Sequence, residues 1–338
     1  MAMQQHADLK PYNTFGIAVK ADRLARFSTV VELRALLAAP EVTNAPLLIL
    51  GGGSNILFTH DFQGTVLLNE MPGIAVVQEN EDHVWVKVGA GVVWHEFVQQ
   101  CVDQGWGGVE NLSLIPGKVG AAPMQNIGAY GVEIKDTFSS LEAMRIADGE
   151  VITFDKAGCA FGYRESFFKR EGKGQYVILS VTFRLNKKPV LNTSYGNIKQ
   201  ELDSMGITQP TLRDVSNAVV AIRRSKLPDP AVLGNAGSFF KNPVVPVALA
   251  DRIKAEHGDL VTYPAGDGLV KLAAGWLIER AGLKGYSLGT HAVHDRQALV
   301  LVNRGGATGH ELYALSEHVL RTVKARFGVD LEREVNIL

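Results

Sequence analysis

Cysteine is almost missing from this chain, and that shortage excludes several kinds of protein at once. Cys101 and Cys159 are the only two among 338 residues, too few for a disulfide framework, a zinc ribbon or an iron–sulfur cluster. Charge of one sign is lacking too. With 34 basic and 35 acidic residues the net charge is −1, so no broad field draws the chain onto nucleic acid or an anionic membrane. An anionic ligand must be held by local groups. No apolar run approaches the ~18 residues needed to cross a bilayer. Residues 1–8 lack the basic and apolar regions of a signal peptide, so a cytoplasmic location is expected, and the chain is read as a monomer. The nine histidines form no zincin pattern. His291 and His294 stand three apart without further ligands nearby, so no metal site is expected. There is no Gly-x-Ser-x-Gly elbow, no internal repeat and no low-complexity segment.

What remains is an ordinary globular composition, 46% apolar and 20% charged, enough for two or three domains with ample core. Thr29 predicts the cap of a helix in which Val30, Leu33, Leu36 and Leu37 recur at helical spacing. A short strand over 46–50 runs into Gly51, Gly52, Gly53, Ser54 and Asn55. Residues 65–69 read as a strand, and 74–79 with 83–88 as a hairpin turning at residues 80–82. A helix is expected over 93–104, stopped by Gly105. Strands follow at 138–147, at about 150–155 after a turn at Asp148 and Gly149, and at 176–185. Residues 1–20 read as irregular. A boundary is placed at Lys187, Lys188 and Pro189. Beyond it helices are expected over 211–225, 246–257, 270–281 and 309–326, the last with Thr308 and Glu311 as a capping box. Strands are expected over 297–303 and 331–337.

Two glycine-rich segments carry the chemistry. A strand entering three glycines offers successive backbone N–H groups with little steric cover, which suits phosphate oxygens, although a tight turn explains the same residues. Neither a Walker loop nor a Rossmann fingerprint is present: no Gly-Lys-Ser/Thr follows, and Ile56 occupies the sixth position. Residues 115–131, Ile-Pro-Gly-Lys-Val-Gly-Ala-Ala-Pro-Met-Gln-Asn-Ile-Gly-Ala-Tyr-Gly, combine small residues with side-chain amides. That is a wall suited to a flat ring with polar edges. Two such loops around a strand-rich core suggest a dinucleotide held outside any Rossmann fold. A third segment, residues 234–243, sets Ser238 between Gly237 and the pair Phe239 and Phe240, with Lys241 and Asn242 beyond. The aromatics can exclude water around the hydroxyl. A glycine-rich turn ahead of a helix near Pro246 is the plainer reading.

These segments occur in order with Asn13-Thr14-Phe15-Gly16, Phe161-Gly162-Tyr163-Arg164, Lys226-Leu227-Pro228-Asp229-Pro230 and residues 331–335. Together they resemble the UDP-N-acetylenolpyruvoylglucosamine reductase family, flavoenzymes of peptidoglycan synthesis, along nearly the whole chain. The resemblance implies an α+β fold. An FAD-binding domain of the vanillyl-alcohol-oxidase type would span residues 1–190, in two α+β subdomains of about 1–68 and 69–190. A mixed α/β substrate-binding domain would span 191–338, its last strand returning to the active site.

The resemblance also implies the site. Gly51, Gly52, Gly53, Ser54 and Asn55 would cradle the FAD pyrophosphate. Pro116, Gly117, Gly120, Gln125, Asn126, Gly128, Ala129 and Tyr130 would lie along the flavin. No histidine stands in the first loop, which fits non-covalent FAD. The implied reaction takes a hydride from NADPH to FAD and on to C3 of UDP-N-acetylglucosamine enolpyruvate, with a proton from Ser238 to C2. Arg164 and Glu334 would meet the substrate carboxylate. Tyr195, Lys226, Asn242 and Gln297 would bind the nucleotide sugar. Tyr263 matches the tyrosine loop that closes over substrate in one structural type of the family, and a loop anchor is its other reading. Asn336 departs from the arginine that many members carry two residues after the glutamate. The competing readings are an FAD-dependent oxidase acting on a carbinol and a non-catalytic UDP-sugar-binding module.

Overall fold

A computed structural model describes residues 3–338. The chain divides into two compact units, each discontinuous in sequence. Ala21–Gly52 and Gln63–Ser225 make up most of the first, while Asp8–Lys20, Gly53–Phe62 and Lys226–Leu338 form the second. Residues 191–225, placed beyond the expected boundary, therefore pack with the first unit, and two early stretches pack with the second.

The first unit is built on two sheets. One has the strand order Gln4–Asp8, Lys20–Phe27, Phe62–Asn69, Leu47–Leu50, the last two parallel with Leu50 opposite Leu68. The other runs Val151–Asp155, Phe138–Arg145, Tyr176–Asn186, His83–Gly89, Ile74–Glu79, antiparallel throughout. The helix Val30–Leu37 starts at Thr29, the cap the sequence predicts, and the structure adds a full capping box between Thr29 and Glu32. It buries Leu33 and Leu36 with Phe27, Leu67, Met144, Val177 and Leu179, a core shared by both sheets. The helix Trp94–Asp103 buries Trp94, Phe97, Val98 and Cys101 over Val84, Val86, Val181 and Phe183 of the five-stranded sheet. Gly105, at φ +72°, follows its last turn. Two helices, Ile198–Ser204 and Leu212–Lys226, pair through Ile198, Leu202, Val215 and Val219.

The second unit is assembled from short strands and three helices. The strands Val244–Pro246, Leu269–Leu272 and Thr262–Pro264 form one sheet with Leu269–Leu272 in the middle. His291–Val293 pairs with Leu301–Asn303, and Asn336–Ile337 lies parallel to Ile56–Leu57. The helices are Val247–Glu256, Ala274–Arg280 and Gly309–Phe327, the last with the expected Thr308–Glu311 box.

Several expectations are corrected here. The strands Gln4–Asp8 and Lys20–Phe27 occupy or flank the stretch read as irregular. The stretch 270–281 is strand up to Leu272 and helix only from Ala274, because Leu272 pairs with Thr262. Within 297–303 only Leu301–Asn303 is strand, and within 331–337 only the last two residues are. Residues around Ser238 run extended, and the strand Val244–Pro246 intervenes before the helix that follows.

Candidate functional site

In the first unit the two glycine-rich loops touch. A Cβ on Gly52 would lie 3.0 Å from Gly117 Cα, so both chains need their missing side chains for this approach. The second loop is held in place along residues 90–94. Gly120 N donates to Ala90 O (2.9 Å), Val119 N to Val92 O (2.9 Å) and Trp94 N to Gly117 O (3.0 Å). The N–H groups of Gly51 and Gly52 donate to no protein acceptor among the described residues. Gly51 is also open, since a Cβ there would meet only Lys118 side-chain carbons at 3.7 and 3.9 Å. Unclaimed donors beside open backbone fit a phosphate.

Gly128 and Ala129 pair with Val132 and Glu133 in a small hairpin. Its two turn residues, Tyr130 (φ +49°) and Gly131 (φ +79°), both lie in the left-handed region, as a tight hairpin turn requires. Arg164 Nη2 donates to Gly128 O at 2.7 Å, which ties the arginine to this hairpin. Arg164 itself takes φ +56°, an uncommon conformation for a long side chain, and its guanidinium stacks on Tyr163 with 5.5 Å to the ring centre. Asn126 is buried at φ +44°. It donates to Gly162 O (3.0 Å) and accepts from Lys135 N (3.2 Å), joining the glycine loop to the arginine loop. Tyr195 packs on the hairpin tip, where a Cβ on Gly131 would come 3.0 Å from its own Cβ. Buried Asn111 donates to Tyr130 O (3.0 Å) and Asn192 O (2.9 Å), fastening that tip to the segment bearing Tyr195. Burial pushes the Tyr130 phenol above its usual range. Arg164, Gly128, Tyr130 and Tyr195 are thus neighbours. Pro116 and Gln125 belong to the same loop.

In the second unit Ser238 lies on an extended segment held on both sides. Phe239 N donates to Leu299 O and Glu334 N donates to Phe239 O, each at 2.8 Å; Lys241 N donates to Glu332 O at the same distance. Ser238 pairs with Val300, and Phe240 with Arg333. Ser238 and Glu334 therefore sit on adjacent strand-like segments, both half-buried. Gly237, at φ +68°, sets the entry angle, and buried Asn235 fixes it by accepting from Gly237 N at 2.9 Å.

The rest of the first loop is anchored from residues 12–14. Gly53 (φ +59°) has its carbonyl bound by Thr14 N (3.1 Å), and a Cβ there would fall 1.9 Å from Tyr12 O. Gly53 N also has no protein acceptor among the described residues. Asn235 N donates to Thr14 O (3.0 Å), and Asn303 Nδ2 to Phe15 O (2.8 Å). The Asn13–Gly16 motif is thus the clamp between the Gly53 and Ser238 segments. Asn55 Nδ2 reaches Glu334 O at 3.3 Å, and Asn336 donates to Asn55 O from both its backbone (3.1 Å) and its side chain (2.9 Å). Asn336, which departs from the expected arginine, binds the backbone of the first glycine-rich loop.

Asn242 and Gln297 meet at the start of the helix Ala274–Arg280. Asn242 Oδ1 accepts from Ala274 N (3.0 Å), and a Cβ on Gly275 would lie 3.0 Å from Gln297 Oε1. With their oxygens turned to the protein, both amides keep their NH₂ groups as donors. Lys226 is exposed, and Tyr263 is exposed on the edge strand opposite Lys271. Ser54 is half-buried in the loop. Sequence reasoning missed the positioning residues Asn111, Asn235, Asn303 and His294. Buried His294 accepts at Nδ1 from Gln297 N (3.3 Å). No group of histidine, cysteine and acidic side chains fit to hold a metal occurs among the described residues. Burial pushes both thiols up, Cys159 to about 12, so neither is a nucleophile.

Comparison with known proteins gives the family. A family model described as an FAD binding domain matches residues 21–155, and one described as the C-terminal domain of UDP-N-acetylenolpyruvoylglucosamine reductase matches residues 229–338. The UDP-N-acetylenolpyruvoylglucosamine reductase of Burkholderia cenocepacia is 57% identical over 328 residues, covering 96% of this chain and 94% of that one. That of Chromobacterium violaceum is 54% identical over 341 residues, all of both chains. In fold, the reductase MurB from Thermus caldophilus superposes with a TM-score of 0.67 at 24% identity, over 99% and 98% of the two chains. The 6-hydroxy-D-nicotine oxidase from Arthrobacter nicotinovorans gives 0.54 at 12%, over 97% and 86%. These superpositions agree with the expected α+β flavoprotein architecture. Sharing more than half its residues with such enzymes over almost its whole length, the chain belongs to the UDP-N-acetylenolpyruvoylglucosamine reductase family, with an FAD-binding domain in its first part.

Proposed function

We propose that the protein reduces UDP-N-acetylglucosamine enolpyruvate to UDP-N-acetylmuramate with electrons from NADPH, a step of peptidoglycan synthesis in the cytoplasm. The observation that carries this reading is the placement of Ser238 and Glu334 on adjacent segments, locked by the bond from Glu334 N to Phe239 O. When bound, FAD would supply the two-electron chemistry that links NADPH to C3 of the enolpyruvyl group, as a hydride carrier. The chain's own work is to hold the pyrophosphate, orient the substrate and move one proton. Gly51, Gly52 and Gly53 provide the backbone donors, supported by their unclaimed N–H groups. Electron density arriving at C3 builds negative charge at C2 and on the attached carboxylate. Arg164, with its planar set of donors, and Glu334, as a protonated donor, stabilise that carboxylate. Ser238 Oγ delivers the proton to C2. A hydroxyl is a weak acid, but a carbanion-like C2 is basic enough to take its proton. Tyr195, Lys226 and the NH₂ groups of Asn242 and Gln297 hold the nucleotide sugar, and Tyr263, exposed on an edge strand, closes over it.

The decisive experiment is a pairing of spectrum and turnover. The purified protein should be yellow, and its NADPH consumption should depend on the enolpyruvyl UDP-sugar. Rapid oxygen use with a carbinol substrate, without need of NADPH, would favour an oxidase. A colourless protein that still binds the sugar would favour a binding module.

A further inference from the structure

Lys118 lies over the first glycine-rich loop. Its stem crosses the open face of Gly51, within ordinary contact distance of a Cβ placed there. Its backbone is held by the isolated bridge between Lys118 and Val93 and by the flanking bonds of Val119 N and Gly117 O, so the side chain leaves an anchored stretch of backbone. The ammonium donates to Asn69 O at 2.9 Å and forms no ion pair among the described residues. The one acid that acts on it, Glu70, is engaged by Arg26, so those two charges offset each other and Lys118 remains in excess. Burial holds its pKa below the ordinary lysine range, with Glu70 opposing and Arg26 adding to the effect. A half-buried cation without a counter-charge is costly unless a ligand supplies one. Beside it stand the unclaimed N–H groups of Gly51 and Gly52, which are donors for the same kind of ligand.

We propose that Lys118 is the cationic partner of a phosphate group of FAD, completing with the Gly51 and Gly52 amides a charged clamp on the pyrophosphate. The inference rests on the reading of this loop as the cofactor nest. Of the three ammonium protons one is used by Asn69 O, and the others are free to face an oxyanion. Asn69 is the last residue of the strand Phe62–Asn69, which runs parallel to the strand that feeds Gly51. The carbonyl thus acts as a stay that keeps the ammonium over the loop. Such a contact adds affinity for the dinucleotide and makes it sensitive to salt, without touching the reacting ring.

The test is flavin release from the full-length holoprotein, followed by the rise in flavin fluorescence after dilution into buffers of increasing salt. Lys118→Gln should release FAD about 10–100-fold faster than the parent at low salt, the usual worth of a charge-assisted bond to phosphate. Its release rate should rise less steeply with salt. Lys118→Arg, which keeps the charge, should stay within about 3-fold of the parent. Release from Lys118→Gln within about 2-fold of the parent, or an unchanged salt dependence, overturns the proposal. Equal loss in Gln and Arg variants also overturns it, since stem packing rather than charge would then matter. A parent protein that holds no flavin at all would instead remove the nest on which the inference stands.

Discussion

Gly51, Gly52 and Gly53 are one residue type three times over, yet the structure asks something different of each. Gly53 is pressed against Tyr12 O and turned to a positive φ, so its hydrogen serves the fold. Gly52 is pressed against Gly117, which makes it the seam between two loops. Gly51 is crowded only by the flexible Lys118 stem, and so it is the place to test cofactor binding. Gly53→Val should give insoluble or unfolded protein, a far heavier loss than a usual surface change, because backbone at 1.9 Å cannot yield. Gly51→Val should fold, melt within a few degrees of the parent and retain markedly less flavin. Absorbance near the flavin band and thermal melts on the two variants check this. The reverse pattern, a folded Gly53→Val with normal colour, would mean that the Tyr12 contact does not constrain the loop. The sequence pointed to this loop and could not rank its glycines, since Tyr12 and Gly117 lie far away along the chain.

At the level of elements, what was legible was what is local. The cap at Thr29, the capping box at Thr308 and the hairpin at residues 74–89 depend on neighbours a few positions away, and they stand where expected. Gln4–Asp8 was illegible because an edge strand of polar residues, four of its five exposed, has no apolar alternation to show. Leu269–Leu272 misled in the opposite way, its apolar residues running on into those of the next helix. Loops held by single side chains were not readable at all. His95 Nδ1 accepts from Leu114 N at 2.9 Å, where Leu114 sits at φ +58°, and His294 Nδ1 accepts from Arg296 N and Gln297 N. Both imidazoles must be unprotonated at that nitrogen to accept. Burial lowers both pKa values from the ordinary 6.5, helped at His95 by Arg224 and Arg223, and at His294 by Arg296 and Arg304 against Asp295. A base with a lowered folded pKa contributes stability above its unfolded pKa and loses it as the pH falls below that value through the folded one. Melting temperature should therefore hold from pH 8 to about 6.5 and fall by several degrees toward pH 5.5. The double variant His95→Asn, His294→Asn should melt lower at pH 8 and show a flatter profile between the two. A double variant as steep as the parent would place the acid sensitivity in other groups.

The whole molecule shows why the motifs were recognisable while the boundary was not. Residues 12–16, 53–55, 234–241, 297–303 and 332–336 are far apart in sequence, yet they are sewn together by backbone hydrogen bonds within the second unit. Motifs of that kind are fixed by close backbone fit. The unit that contains them is discontinuous, so a single cut near residue 190 could not describe it. The same arrangement sets the sharpest functional expectation. Ser238 belongs to the second unit's locked segment, and in the proposed reaction it acts on C2 of the sugar substrate alone. It has no part in the reduction of flavin by NADPH. Ser238→Ala should therefore keep its flavin, because the bonds at Phe239 and Gly237 are made by backbone and by Asn235. Flavin reduction by NADPH should proceed at a near-normal rate. Reoxidation by the enolpyruvyl sugar should slow by roughly 10²–10⁴-fold, the common share of a positioned general acid, or about 3–5 kcal/mol of transition-state stabilisation. A serine that merely shaped the turn predicts flavin loss, or equal slowing of both halves. Stopped-flow absorbance resolves the two halves in one preparation, and equal effects on both, or none on either, would remove Ser238 as the proton donor.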